Sequence, residues 1–173
     1  DIDNCSGRTM SADAMLEGTR IHKKIQGSMG KNYMAEVPLK HVVETPLYEL
    51  TVEGRADGIF TEDGLSWVDE IKGMYRKVEL FEEAIYVHKA QAMCYAYIFA
   101  LQNHLDRMGV QMTYCNLETD ETKNFREEYT FEELSEWFDD LMAEYGKWAS
   151  FQCELKNRRQ ASIKTLEFPY EYR

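Results

Sequence analysis

The chain has little cysteine, a shortage of positive charge and no long apolar run, and each lack removes a class of protein. Its four cysteines, Cys5, Cys94, Cys115 and Cys153, lie far apart with no C-x-x-C pair. Neither a zinc site nor a disulfide framework is therefore indicated, and reduced, mostly buried thiols are expected. No apolar stretch approaches the roughly 20 residues needed to span a bilayer, and the acidic, polar N-terminus is not a signal peptide. A cytoplasmic protein without a membrane partner is expected. Twenty Lys and Arg stand against 31 Asp and Glu, a formal net charge of −11. That balance speaks against gripping nucleic acid by bulk electrostatics, because phosphate contacts come from Lys and Arg. The bases are nonetheless grouped, at Lys23, Lys24 and Lys31, at Lys72, Arg76 and Lys77, and at Lys156, Arg158 and Arg159. The acids crowd between Glu118 and Glu144, as on a solvated face.

What is present suffices for a folded core. With 173 residues, 44% of them hydrophobic, and eleven Tyr, eight Phe and three Trp, one compact domain is expected. The chain opens on Asp1 rather than Met, which reads as an excised piece of something longer. Residues 1–160 are taken as the domain and 161–173 as a linker or the start of a following one.

Apolar residues Met15, Leu16, Ile21 and Ile25 recur at near-helical intervals, so a helix is expected from Ser11, its N-cap, to about Met29, with Gly27 or Gly30 ending it. Between Tyr33 and Gly73, β-branched and aromatic residues alternate between turn signals at Glu44-Thr45-Pro46 and Thr61-Glu62-Asp63-Gly64. Three antiparallel strands follow, at about 34–43, 47–60 and 65–72. Helical spacing then predicts a long helix from about Leu80 to Arg107, stopped by Gly109. Two more strands, 110–117 and 125–129, precede a last helix opened by the capping box Thr130-Phe131-Glu132-Glu133. The order is that of an α/β protein with a mixed central sheet flanked by helices.

Onto these elements falls an ordered set of polar residues: Gly18 and His22, Gly54 and Asp57, Glu70-Ile71-Lys72, then Gln91 and Tyr95. Hydrolysis of a phosphodiester needs a metal to polarise the phosphoryl oxygen and acidify the attacking water, with a cation near the developing charge. Glu70 and Lys72, two apart on a strand, point to one face. The hairpin register sets Asp57 almost opposite Glu70. His22 lies one helical turn after Gly18, which leaves room for another element to approach, and imidazole can complete a metal site otherwise made of oxygens. Gln91 and Tyr95 are also one turn apart and so face the same way, within reach of that patch or of a nucleic-acid backbone. Taken singly, each motif reads as an ordinary ion pair or packed polar residue. His41, His88 and His104 have no supporting motif and are read as structural.

In order, these motifs resemble the RecB-type branch of the PD-(D/E)XK nuclease superfamily: G-x-x-x-H, G-x-x-D, E-x-K and Q-x-x-x-Y, across roughly residues 11–150. The resemblance implies a restriction-endonuclease-like core whose sheet begins with three antiparallel strands. It implies Mg²⁺ or Mn²⁺ held by His22, Asp57 and Glu70, with the Ile71 carbonyl as a further ligand. By the same resemblance Lys72 activates water and stabilises the transition state, while Gln91 and Tyr95 support the site and contact DNA. Some relatives carry a cysteine-ligated iron–sulfur cluster, but the spacings here depart from that pattern and none is expected. The tail Phe168 to Arg173 is similar to the segment before the first helicase motif of DinG/XPD-type helicases, which implies a linked helicase in the same polypeptide. The expectation is a deoxyribonuclease, acting as an exonuclease on strands that the helicase separates. The competing expectations are a docking or DNA-binding module of the same fold without turnover, and an unrelated α/β protein whose acidic surface binds another protein.

Overall fold

Turn-forming residues between runs of β-branched and aromatic residues decide where this chain reverses, and the strands pair accordingly. The computed structural model describes residues 12–164, with side chains for residues 16–163; Ser11, Cys5 and the Phe168–Arg173 tail lie outside the described residues. Helix α1 (Ala12–Ser28) leads into strands β1 (Tyr33–Glu44), β2 (Glu49–Glu62) and β3 (Leu65–Met74). Helix α2 (Tyr86–Asn103), strands β4 (Arg107–Asn116) and β5 (Thr122–Thr130), and helix α3 (Phe131–Lys164) follow. The five strands form one sheet in chain order. All pairings are antiparallel except β3 with β4, and that parallel pair requires the crossover that α2 supplies. This is the mixed, helix-flanked, restriction-endonuclease-like α/β core with an antiparallel three-stranded start that the element order predicts.

Local chemistry accounts for the ends of the elements. Asp63 and Gly64 both have positive φ, 51° and 80°, so β2 and β3 meet in a two-residue turn of the type that matches strand twist. Thr130 and Glu133 form the expected capping box: the Glu133 carboxylate accepts the Thr130 N–H at 2.8 Å, and the Thr130 hydroxyl accepts the Glu133 N–H at 3.2 Å.

Other boundaries differ from expectation. Helix α2 begins at Tyr86 rather than near Leu80, because a short 3₁₀ turn (Val78–Leu80) and an extended stretch to Ile85 intervene. It ends at His104, which takes the left-handed conformation (φ 54°, ψ 46°) usually given to glycine. Gly109 therefore does not stop a helix; it lies inside β4, where a Cβ would sit 2.2 Å from the Trp67 ring. Gly27 lies within α1, and Gly30, just past its end, lacks the positive φ of a glycine cap. The boundary expected at residue 160 falls inside α3.

Alternation along β3 and β4 divides the molecule into layers. Val68, Val110, Met112 and Tyr114 face the principal core beneath α2 and α3, where Ala92, Ala96 and Ala100 let α2 lie close on the sheet. On the other face, Ile71 and Cys115 pack under Ile21 of α1. Tyr97 and Phe138 stack at 4.2 Å in the principal core, with His41 edge-on to both, which gives His41 a structural role. Among the described residues no helix is long and apolar enough to cross a membrane.

Candidate functional site

The sheet is deliberately broken where its acidic residues gather. Along β2, Ala56 and Ile59 both belong to the principal core although they are three apart, so the two-residue alternation slips once between them. Asp57 sits in that slip. The β2–β3 ladder runs from Glu62↔Leu65 to Gly58↔Asp69 and goes no further. One step on, Asp57 and Glu70 would be opposite each other. There the Asp57 side chain replaces the ladder, its Oδ2 accepting the Ile71 N–H at 2.7 Å. The ladder to β1 likewise passes from Ala35↔Gly58 to Val37↔Ala56 and skips Glu36 and Asp57. Glu36 holds φ at 56°, a conformation that costs a non-glycine residue about 1–2 kcal/mol. Gln26 of α1 fills the gap, donating through Nε2 to the Asp57 carbonyl and to Glu36 Oε1, each at 2.9 Å.

The expected side chains join in two sets of contacts, His22 with Asp57, and Glu70 through Lys72 and Gln91 to Tyr95. His22 Nδ1 lies 3.1 Å from Asp57 Oδ1. Lys72 Nζ lies 3.1 Å from Glu70 Oε1 and donates to Gln91 Oε1 at 3.2 Å. Gln91 Nε2 in turn donates to the Tyr95 hydroxyl at 3.4 Å. Gly54 belongs to this chain of contacts, since a Cβ there would stand 2.4 Å from the Tyr95 hydroxyl. The G-x-x-D and Q-x-x-x-Y motifs are thus two sides of one close approach. Gly18 has no such role: a Cβ there would meet nothing within 4 Å, so the expected approach of another element does not occur.

The electrostatics are those of a site short of positive charge. Glu70 is 2% exposed, and its Oε2 is fully buried with no hydrogen-bond partner. Burial first, and the charge of Asp57 second, push its carboxyl up to about 8, against the pull of Lys72 and His22. For His22 burial is the largest influence and lowers the imidazole. The hydrogen bond and charge of Asp57, with the charge of Glu70, outweigh it, and the net shift is upward. A buried carboxylate oxygen without a donor costs about 1–3 kcal/mol or more unless something positive meets it.

Glu36 is the residue the motifs missed. Ligand atoms of His22, Glu36 and Asp57 all lie within 4.8 Å of one another. A cation with bonds of about 2.1 Å holds its ligand atoms about 3 to 4 Å apart, so this cluster needs little adjustment to bind one. Glu36 belongs to no short motif, but counting back from the pair Glu44↔Glu49 at the β1–β2 turn reaches Asp57. Ile71 gives its N–H to Asp57, and its side chain is fully buried under Ile21.

A second polar cluster lies on the opposite face of β3 and has no unmet need. Asp69, fully buried, accepts from Thr113 Oγ1 at 2.6 Å, from Gln111 Nε2 at 3.0 Å and from the Tyr33 hydroxyl at 3.0 Å. Burial raises its carboxyl and the three hydrogen bonds oppose that rise. Complete satisfaction of this kind specifies a core, in contrast to the orphaned oxygen of Glu70.

The fold class is that of a restriction-endonuclease-like α/β core. The crystal structure of SSO0001 is similar to this chain, with a TM-score of 0.51 and 21% identity over 67% of this chain and 52% of that one. The likeness therefore spans about half of SSO0001 and speaks for the fold alone. No protein-family model matches the chain, and no curated protein matches it.

Proposed function

We propose that this domain is a Mg²⁺- or Mn²⁺-dependent deoxyribonuclease of the RecB-type branch of the PD-(D/E)XK superfamily. It acts as an exonuclease beside a helicase in the same polypeptide, in DNA repair or recombination. The observation that carries the reading is the buried, unpartnered Oε2 of Glu70 beside Asp57. Two adjacent carboxylates with one oxygen left bare favour a hard divalent cation, and the donor set of oxygens with one imidazole fits Mg²⁺ or Mn²⁺. Asp57, Glu70 and His22 would hold the ion, with Glu36 and the Ile71 carbonyl completing the set. When bound, such an ion polarises a phosphoryl oxygen and lowers the pKa of water.

The chain's own residues supply the remainder. Lys72, 18% exposed and tied to both Glu70 and Gln91, keeps an ammonium at the edge of the site, where it would orient water and meet the charge that develops on the phosphate. Gln91 fixes Lys72, and Tyr95, lodged over Gly54, fixes Gln91. The Ile71 N–H orients Asp57 so that its Oδ1 turns toward His22. Six of the acids, with no base among them, lie on the first part of α3, an element that contributes nothing to this cluster. A tethered helicase would raise the local concentration of substrate without a large basic surface here.

Purified domain should degrade DNA on addition of Mn²⁺ and stop on chelation. A folded Lys72→Ala protein should lose turnover by a factor of about 10² or more while still binding Mn²⁺ in calorimetry. Full activity in that variant, or Mn²⁺ binding unaltered by Asp57→Ala, would overturn the assignment.

A further inference from the structure

Helix α3 is longer than the body it packs on. Its first part is anchored: Leu134 and Phe138 are buried, Met142 packs on the core, and Gly146 lies against the Tyr48 hydroxyl. From Glu154 to Ile163 every side chain is exposed. Yet, in line with the core-packed Leu134 and Trp137, the helix carries further large apolar groups that stay in solvent, with Leu141 37%, Tyr145 42%, Trp148 55%, Phe151 56% and Leu155 42% exposed. At 3.6 residues per turn, Leu141, Tyr145, Trp148 and Leu155 fall within an arc of about 80°, which makes a continuous stripe. The rings of Tyr145 and Trp148 already lie together, 5.3 Å apart. Helices in water draw their stability from a packed apolar face, and the outer turns of α3 have none within this chain's described residues.

The charges along the helix say which partner fits. Residues 131–145 hold six acids and no base, whereas residues 146–164 hold five bases and one acid. We propose that α3 is a self-association surface on which two copies of this chain pair antiparallel about an axis near Trp148. Reversal about that point sets Leu141 beside Leu155 of the other copy and Tyr145 beside its Phe151. It also brings Asp140 and Glu144 to the end that carries Lys156 and Arg159. A parallel pairing would lay acid on acid and base on base. The surface lies on a helix that contributes no group to the carboxylate cluster, so the inference does not depend on the nuclease reading.

Sedimentation equilibrium of the 173-residue chain from about 1 to 100 µM tests this, the range in which modest interfaces dissociate. The expected mass rises with concentration to twice the 20.3 kDa of one chain. Trp148→Glu should remain monomeric throughout with an unchanged far-UV circular dichroism spectrum, because Trp148 is half exposed in the single chain. Lys156→Glu with Arg159→Glu should weaken the dimer at least tenfold, and adding Asp140→Lys with Glu144→Lys should restore it. A chain that stays monomeric at the highest concentration overturns the proposal, as does a dimer indifferent to Trp148→Glu. Failure of the fourfold exchange to restore association overturns the antiparallel arrangement.

Discussion

Replacing Glu70 by glutamine keeps the shape of the side chain and removes the charge that the fold strains to bury. Burial, with the charge of Asp57, pushes the Glu70 carboxyl up to about 8 from an ordinary value of 4.5. The folded state therefore binds a proton that the unfolded state has released. Stability from this group is full below about pH 4.5 and is lost as the pH rises toward 8, at about 1.4 kcal/mol per unit. By pH 7 the loss reaches roughly 3 kcal/mol. Glu70→Gln abolishes that slope, while its buried amide, lacking an acceptor, takes back about 1 kcal/mol. The variant should therefore be more stable than wild type at pH 7 by about 2 kcal/mol, a rise in Tm of roughly 4–8 °C for a domain of this size. Divalent metal should reverse the order. At a hundredfold excess over its Kd, Mn²⁺ adds about 2.7 kcal/mol to a protein that binds it, and Glu70→Gln should gain little. Thermal unfolding followed by circular dichroism between pH 5 and 8, in chelator and in Mn²⁺, reads both effects. A variant as pH-dependent as wild type, or one that gains as much from Mn²⁺, would refute the reasoning.

Other perturbations probe the supporting contacts. Gly54→Ala drives a Cβ into the Tyr95 hydroxyl and should cost about 1–3 kcal/mol in chemical denaturation, together with turnover through Gln91 and Lys72. Adding Tyr95→Phe, which removes the hydroxyl that is struck, should return part of both. Glu36→Gly relieves the left-handed residue and should raise stability by about 1 kcal/mol, yet weaken Mn²⁺ binding measured by calorimetry. Gly109→Ala, packed under Trp67 and away from the carboxylates, should lower stability and leave the Kd for Mn²⁺ unchanged.

The parts of the site that lie on regular elements were legible because periodicity fixes where side chains point. Two-residue spacing puts Glu70 and Lys72 together, a hairpin count brings Asp57 to them, and four-residue spacing joins Gln91 to Tyr95. What escaped depends on departures from periodicity. A hairpin count sets Glu36 opposite Asp57, but the slip at Asp57 and the left-handed Glu36 are visible in no alternation pattern, so neither the turn of Glu36 toward His22 nor the Gln26 contacts could be read. The ends of α2 depart from the apolar periodicity for a similar reason. His104 takes a conformation expected of glycine, and Gly109, which looks like a helix stop, serves a tryptophan on the neighbouring strand. Gly18 shows the reverse error, a glycine credited with a close approach that the fold does not make.

The central claim is that the bare oxygen of Glu70 is kept for a cation. Anomalous scattering from crystals grown with Mn²⁺ tests it most directly. One strong peak is expected about 2.0–2.3 Å from Glu70 Oε2 and bonded also to Asp57 and His22. A site without a peak, or an Oε2 found hydrogen-bonded to protein while Mn²⁺ binds elsewhere, would contradict it.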